Sequence, residues 1–305
     1  MNYTFIFLFC KQNNYYDIIL IDSKGDVYTM DKYLIVSDLD GTLLNHKRKI
    51  PRKSIRYIKK LVKQGHFFVF ATGRPYQGSI RYYKKLKLTG PMICDNGGSI
   101  HFPRNQCKDI FTVIPLDLFI SLVKEIKPYL FAGMSSHFDT VYYYNEKDVP
   151  FFLKHPNPPR EIIEGDLEVI MKKPPINPTL FFKNKYLDEV LNILNKDEYK
   201  DIISYRYWND YSDTVSLELY HKNATKGHAL LKLKEILNIN KENDLVFGDQ
   251  KNDIEMLSYA FNSVAMLNGR KEVKEITKYI TYKTNKDNGV THFIKEFFKT
   301  KKAPN

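Results

Sequence analysis

Residues 33–44 read Tyr33-Leu-Ile-Val-Ser37-Asp38-Leu39-Asp40-Gly41-Thr42-Leu43-Leu44, and the fold is decided there. An unbroken apolar run that ends in carboxylates and a glycine has the form of a buried parallel strand delivering polar groups to a sheet edge. Asp38 and Asp40, two positions apart, point to one side for as long as strand geometry persists, with Leu39 on the other. Ligands bind at the carboxyl edge of an open parallel sheet. Neighbouring carboxylates repel, so a cation or a shared proton is implied.

Working outward, the chain alternates strand and helix. Pro51 opens a helix that Gly65 closes. Residues 67–71 and 92–94 are the next strands; residues 244–247 and 264–266 resume the same sheet, with helices at 253–260 and 273–277. Between them lies a block of different rhythm: helices at 116–127 and 186–194, and strands at 130–134, 140–144, 167–171, 179–182 and 202–207. The reading is an α/β protein, a parallel-sheet core over residues 30–114 and 211–300 interrupted by an α+β domain at 115–210. Residues 1–29, with a possible hairpin of 18–21 against 27–29, form an extension of unknown role.

Three more segments place chemistry on that sheet edge. Thr72, in Ala71-Thr72-Gly73-Arg74 after the second strand, offers a hydroxyl, and Gly73 lets a backbone N–H approach an anion closely. Lys226 stands at the head of a helix, where a cation opposes the macrodipole, and that cost points to phosphate or simply to a solvated side chain. Gly248-Asp249-Gln250-Lys251-Asn252-Asp253 supplies two carboxylates and an amide at a helix start that needs only one cap. An oxygen-only cluster of this kind suits Mg²⁺.

Composition bounds the alternatives. In 305 residues, Lys and Arg number 47 and Asp and Glu 35, giving a net charge of +12. The stretch from Gly41 to Cys94 contains no acidic residue and carries the whole excess. Within it Arg52, Arg56, Lys59 and Lys63 lie opposite Ile55, Ile58, Leu61 and Val62, as on a solvated amphipathic helix. No recognition motif accompanies the charge, so nucleic acid is an unlikely partner. Three scattered cysteines (Cys10, Cys94, Cys107) support neither disulfides nor a zinc site, and the default is a reducing, cytoplasmic compartment. The apolar run at 3–9 is far too short to span a membrane. Oligomeric state is not legible.

The four segments, in this order, resemble the motifs of the haloacid dehalogenase-like phosphohydrolases. The long insertion, the Asp95-Asn96-Gly97-Gly98 turn and the run from Asn285 to Val290 are similar to the Cof-type subgroup. The resemblance covers residues 31–299 and implies a Rossmann-like core with a mobile cap. It further implies Mg²⁺-dependent hydrolysis of small phosphorylated metabolites, sugar phosphates foremost, through an aspartyl-phosphate. On that resemblance Asp38 is the nucleophile and Asp40 the general acid and base. Leu39 and Gly73 (through backbone N–H groups), Thr72, Lys226 and Asn252 bind the phosphoryl group. The metal is held by Asp38, Asp249 and the Asp40 carbonyl, with Asp253 in support. Gln250 and Lys251 stand where the family often has a small residue, and could narrow access. His137, Tyr142, Tyr144, Arg206 and Trp208 are the cap's candidates for substrate contact. A phosphomutase and a non-catalytic phosphometabolite sensor are the competing readings.

Overall fold

Five strands form a wholly parallel sheet in the order Tyr279–Ile280, Ser263–Ala265, Asp244–Gly248, Leu34–Ser37, Phe67–Phe70. The computed structural model describes residues 32–105, 107–138, 140–150, 161–209 and 213–302, with the short strands Lys11–Gln12, Tyr15–Tyr16, Ile19–Ile21 and Val27–Thr29 before them. The central strands are apolar on both faces because helices cover both. Ile35, Phe68 and Phe70 pack against Ile58 and Leu61 of helix Arg52–Lys63, and Leu34, Val36 and Val246 against Leu230 and Leu233 of helix Lys226–Ile236. Burying each such side chain contributes about 1.5–3 kcal/mol. Arg52, Arg56 and Lys63 of the first helix lie exposed, as the amphipathic pattern requires.

Met92–Cys94 does not join the main sheet as a full strand. It pairs antiparallel with Ser99–His101, which pairs with Ile110–Phe111, and one parallel bridge between Ala71 and Ile93 links this small sheet to the core. The hairpin expected near the N-terminus is present as Ile19–Ile21 against Val27–Thr29. Its turn at 22–26, the apolar run at 3–9 and Cys10 lie outside the described residues.

The inserted block folds as a six-stranded sheet in the order Glu161–Glu164, Thr140–Tyr144, Leu130–His137, Thr179–Lys183, Thr214–His221, Ile203–Asn209. All neighbours are antiparallel except the first pair. Helices Leu116–Ile126 and Leu187–Leu194 close its apolar face around Phe119, Leu180, Phe182 and Leu217. Strand Thr214–His221 of this sheet lies wholly beyond residue 210, the expected end of the block. Residues 167–171, read as a strand, instead open with helix Leu167–Ile170. Leu167 and Met171 are the buried positions there, a four-residue spacing that suits a helical turn and not a two-residue alternation.

Candidate active site

Strand Leu34–Ser37 ends one residue before Asp38, and the chain then turns back on itself. Leu43 N–H donates to the Asp38 carbonyl at 3.3 Å and Leu44 N–H to the Leu39 carbonyl at 2.8 Å. Leu39, fully buried in the core cluster with Ile35 and Phe68, anchors this turn. The two carboxylates therefore do not share an environment. Asp38 is buried, whereas the Asp40 side chain is half exposed.

Each carboxylate has its own counter-charge. Lys226 Nζ donates to Asp38 Oδ1 at 2.7 Å and to Asp253 Oδ1 at 2.6 Å, from a side chain only 1% exposed. This excludes the solvated alternative for Lys226. Burial alone would push the ammonium's pKa down; Asp38 and Asp253 outweigh that and hold it raised. Burial raises Asp38 to about 7, Lys226 opposing and Asp253 and Asp249 adding to the rise. Arg74, for which the sequence motif alone implies no role, grips Asp40 through two bonds of 2.6 Å from Nε and its terminal nitrogen.

The helix-start loop is organised around Asp253. Its Oδ2 accepts from the N–H groups of Asp249 (2.9 Å) and Gln250 (3.0 Å), while Oδ1 takes Lys226. With both oxygens engaged, Asp253 is a scaffold for the loop and for Lys226. Asp249 Oδ1 accepts from Thr42 Oγ1 at 2.6 Å, and its Oδ2 from Gln250 Nε2 at 3.0 Å. Gln250 thus turns aside to brace Asp249 and is itself held by Arg270 Nε at 2.8 Å, while Lys251 lines the neighbouring cleft. Asn285 Nδ2 and Asn268 Nδ2 donate to the carbonyls of Leu44 and Gly41, both at 2.8 Å, so the late Asn285–Val290 run buttresses the Asp38 turn.

Oxygens of Asp38, Asp249 and Asp253 lie within 4.8 Å of one another. Three crowded, buried carboxylates against one ammonium fit a hard divalent cation, and the donor set is the oxygen-only kind that Mg²⁺ prefers. Gly41 keeps the space open: at φ +83° it adopts a backbone that disfavours side chains, and a Cβ there would lie 2.3 Å from Asp249 Oδ2.

Thr72 and Gly73 reach the same edge. The Thr72 hydroxyl, 1% exposed, accepts from Arg74 N–H at 3.2 Å, which leaves its proton to donate. Asn252 Nδ2 donates to Asn96 Oδ1 at 2.8 Å. Asn96 belongs to the Asp95–Gly97 turn, where Asp95 and Asn96 both have positive φ. A cleft of about 210 Å³ opens beside this group, shared by Asn96, Lys226 and Asn252 of the core with Asn177, Arg206 and Tyr220 of the inserted sheet. Of the cap candidates, Arg206 alone lines it. Tyr142 is buried in the cap's core with Tyr144 packed nearby, and His137 contacts the Pro174 carbonyl at 2.9 Å and the Phe111 ring. Arg206 is held by two bonds to Glu218, of 2.6 and 2.7 Å.

A family model described as haloacid dehalogenase-like hydrolase matches residues 35–294. The chain belongs to that family. Among its relatives, 5-amino-6-(5-phospho-D-ribitylamino)uracil phosphatase YitU of Bacillus subtilis is 31% identical over 270 residues, covering 87% of this chain and 97% of the relative. The crystal structure of TM0651 from Thermotoga maritima superposes with a TM-score of 0.73 at 31% identity, covering 87% and 97% of the two chains. A haloacid dehalogenase-like hydrolase from Bacteroides thetaiotaomicron superposes at 0.71 with 25% identity, covering 88% and 100%. The protein is an enzyme, a haloacid dehalogenase-like phosphatase of the Cof type, with the family's Rossmann-like core and inserted cap. Among the described residues no helix is long and apolar enough to cross a membrane.

Proposed function

We propose that this phosphatase hydrolyses small phosphorylated metabolites through an aspartyl-phosphate on Asp38, with Mg²⁺ as cofactor. The observation that carries the reading is the state of Asp38. Oδ1 is tied to Lys226, which lines the cleft, while Oδ2 has no protein partner among the described residues. A buried carboxylate with one oxygen fixed and the other open is positioned to attack.

In the first step Asp38 Oδ2 bonds to phosphorus, the ester P–O bond breaks, and the leaving oxygen takes a proton from Asp40. In the second, water attacks the phosphoryl group on Asp38 and gives Asp40 its proton. Inorganic phosphate leaves and both carboxyls return to their starting forms. Arg74 orients Asp40 through its two bonds, and an arriving phosphoryl group is a competing anion for the guanidinium. Thr72, Lys226, Asn252 and the N–H groups of Leu39 and Gly73 hold the phosphoryl oxygens. Asp38, Asp249 and the Asp40 carbonyl hold Mg²⁺ and Asp253 supports the set. The bound metal neutralises charge between an anionic nucleophile and an anionic substrate.

Sugar and polyol phosphates are the proposed substrates. The cleft is small, and the Arg206–Glu218 pair carries no net charge, so it suits hydrogen bonding to a neutral, hydroxyl-bearing leaving group. YitU carries a phosphoribityl compound in its name, consistent with such a group. In domain terms we propose core segments 30–114 and 222–300, a cap of 115–221 that keeps its last strand, and residues 1–29 as an extension. Exposed, unpaired Cys107 fits a reducing, cytoplasmic setting. A phosphate-release screen over sugar phosphates, polyol phosphates and nucleotides, with and without Mg²⁺, tests the reading. Metal-dependent release concentrated on the first two classes supports it, and no metal-dependent release on any compound refutes it.

A further inference from the structure

A second cleft, of about 300 Å³, opens on the core and shares no lining residue with the catalytic one. Its floor is apolar, with Tyr83 and Leu88 buried and Ile80 half-buried between helix Tyr76–Leu86 and the loop that follows. The Tyr83 hydroxyl donates to the Gly90 carbonyl at 2.9 Å, which fixes that ring. The Tyr76 ring, tilted against His101 at 4.6 Å, forms a side wall.

The rim has the opposite character. Lys84, Lys87 and Arg104 are all exposed there, and no carboxylate lines the cleft. Neither lysine ammonium has an ion-pair or hydrogen-bond partner among the described residues. Asp109, which bears on the Tyr76 hydroxyl, is occupied by His101 at 2.7 Å and by the Phe102 N–H at 2.8 Å. Three like charges around one concavity repel each other and focus a positive potential into it. An anion in the concavity relieves that repulsion. The volume is at the small end of the range for pockets that hold organic ligands.

We propose that this cleft is a second, non-catalytic binding site for a small organic anion. The planar apolar body lies against the Tyr76 ring and Ile80, and the acidic group faces Lys84, Lys87 and Arg104. The site stands independently of the phosphatase reading. A suitable probe is 8-anilinonaphthalene-1-sulfonate, which has both features and no phosphoester to hydrolyse.

Titration of the full chain, followed by fluorescence and calorimetry, should show one saturable site. In the Lys84→Glu/Arg104→Glu variant the dissociation constant should rise by about tenfold or more with the melting temperature kept. The conservative Lys84→Arg/Arg104→Lys variant should bind as the parent does, and Arg206→Ala, on the catalytic cleft, should leave binding unchanged. Inorganic sulfate equimolar with the probe should not displace it, because sulfate has no apolar body. Absence of saturable binding, a smaller effect of the double reversal, loss of binding in Arg206→Ala, or displacement by equimolar sulfate would each overturn the proposal.

Discussion

Lys226 places one ammonium between two carboxylates, with almost no contact to water. Removing the charge leaves Asp38 and Asp253 buried and repelling each other. Lys226→Met, which keeps the bulk of the side chain, should therefore cost about 3–5 kcal/mol in urea or thermal unfolding. A cost near zero would mean that the ammonium contributes little to the fold. Arg74 tests the opposite regime, because its partner is half exposed. Arg74→Ala should change stability by less than about 1 kcal/mol yet slow phosphate release by roughly 10–100-fold, since Asp40 loses its orientation. Equal losses in stability and rate would contradict a positioning role. Asp38, Thr72, Lys226 and Asp249 could be read from the sequence because each sits at a strand end or helix start marked by local turn chemistry. Arg74 on Asp40 and Arg206 on Glu218 could not. The first pairing arises from the meeting of two loops, and the second from antiparallel register, in which Arg206 lies directly opposite Glu218.

Among the elements, the Asp95–Gly97 turn does more than connect strands. Gly97, at φ +102°, lies so close to the start of helix Lys226–Ile236 that a Cβ would sit 2.0 Å from the Thr225 carbonyl oxygen. Thr225 caps the helix that begins with Lys226. Gly97→Ala should cost about 1–3 kcal/mol and depress turnover together with it, because the helix start must move and carry Lys226 with it. Chemical unfolding and phosphate release on the same sample check this, and an alanine variant that retains both would show that the turn yields freely. Four of the five parallel strands were legible as continuous apolar runs and the first helix as an amphipathic repeat, whereas Tyr279–Ile280 is too short to give a pattern. Residues 167–171 were not legible, because five residues are too few to separate a helical from an alternating pattern until burial of Leu167 and Met171 is known. Thr214–His221 pairs along its length with Ile203–Asn209, a tertiary relation that local composition near residue 210 does not mark.

For the whole molecule, charge balance at the sheet edge links stability, pH and metal. Asp38 titrates near 7 in the fold against 3.8 unperturbed, so between those values the native state retains a proton that the unfolded chain has lost. Its contribution to stability is greatest below the unfolded value and declines as pH rises toward 7. Binding a divalent cation needs the ionised form, so Mg²⁺ affinity should increase by up to about tenfold per pH unit below 7 and level off above it. Thermal melts with Mg²⁺ or chelator from pH 5 to about 8 measure this. Stabilisation by Mg²⁺ should be small at the acid end and largest above 7, whereas a pH-independent increment would detach the metal from Asp38.

The covalent step is the claim on which the chemistry rests. Rapid acid quench of the turning-over enzyme with Mg²⁺ and a radiolabelled sugar phosphate, followed by peptide mapping, addresses it directly. The label should appear as an acyl phosphate on the peptide containing Asp38 and be absent from Asp38→Asn, which should also lose turnover by roughly a thousandfold or more. Label on another residue, or full turnover in Asp38→Asn, would contradict the account.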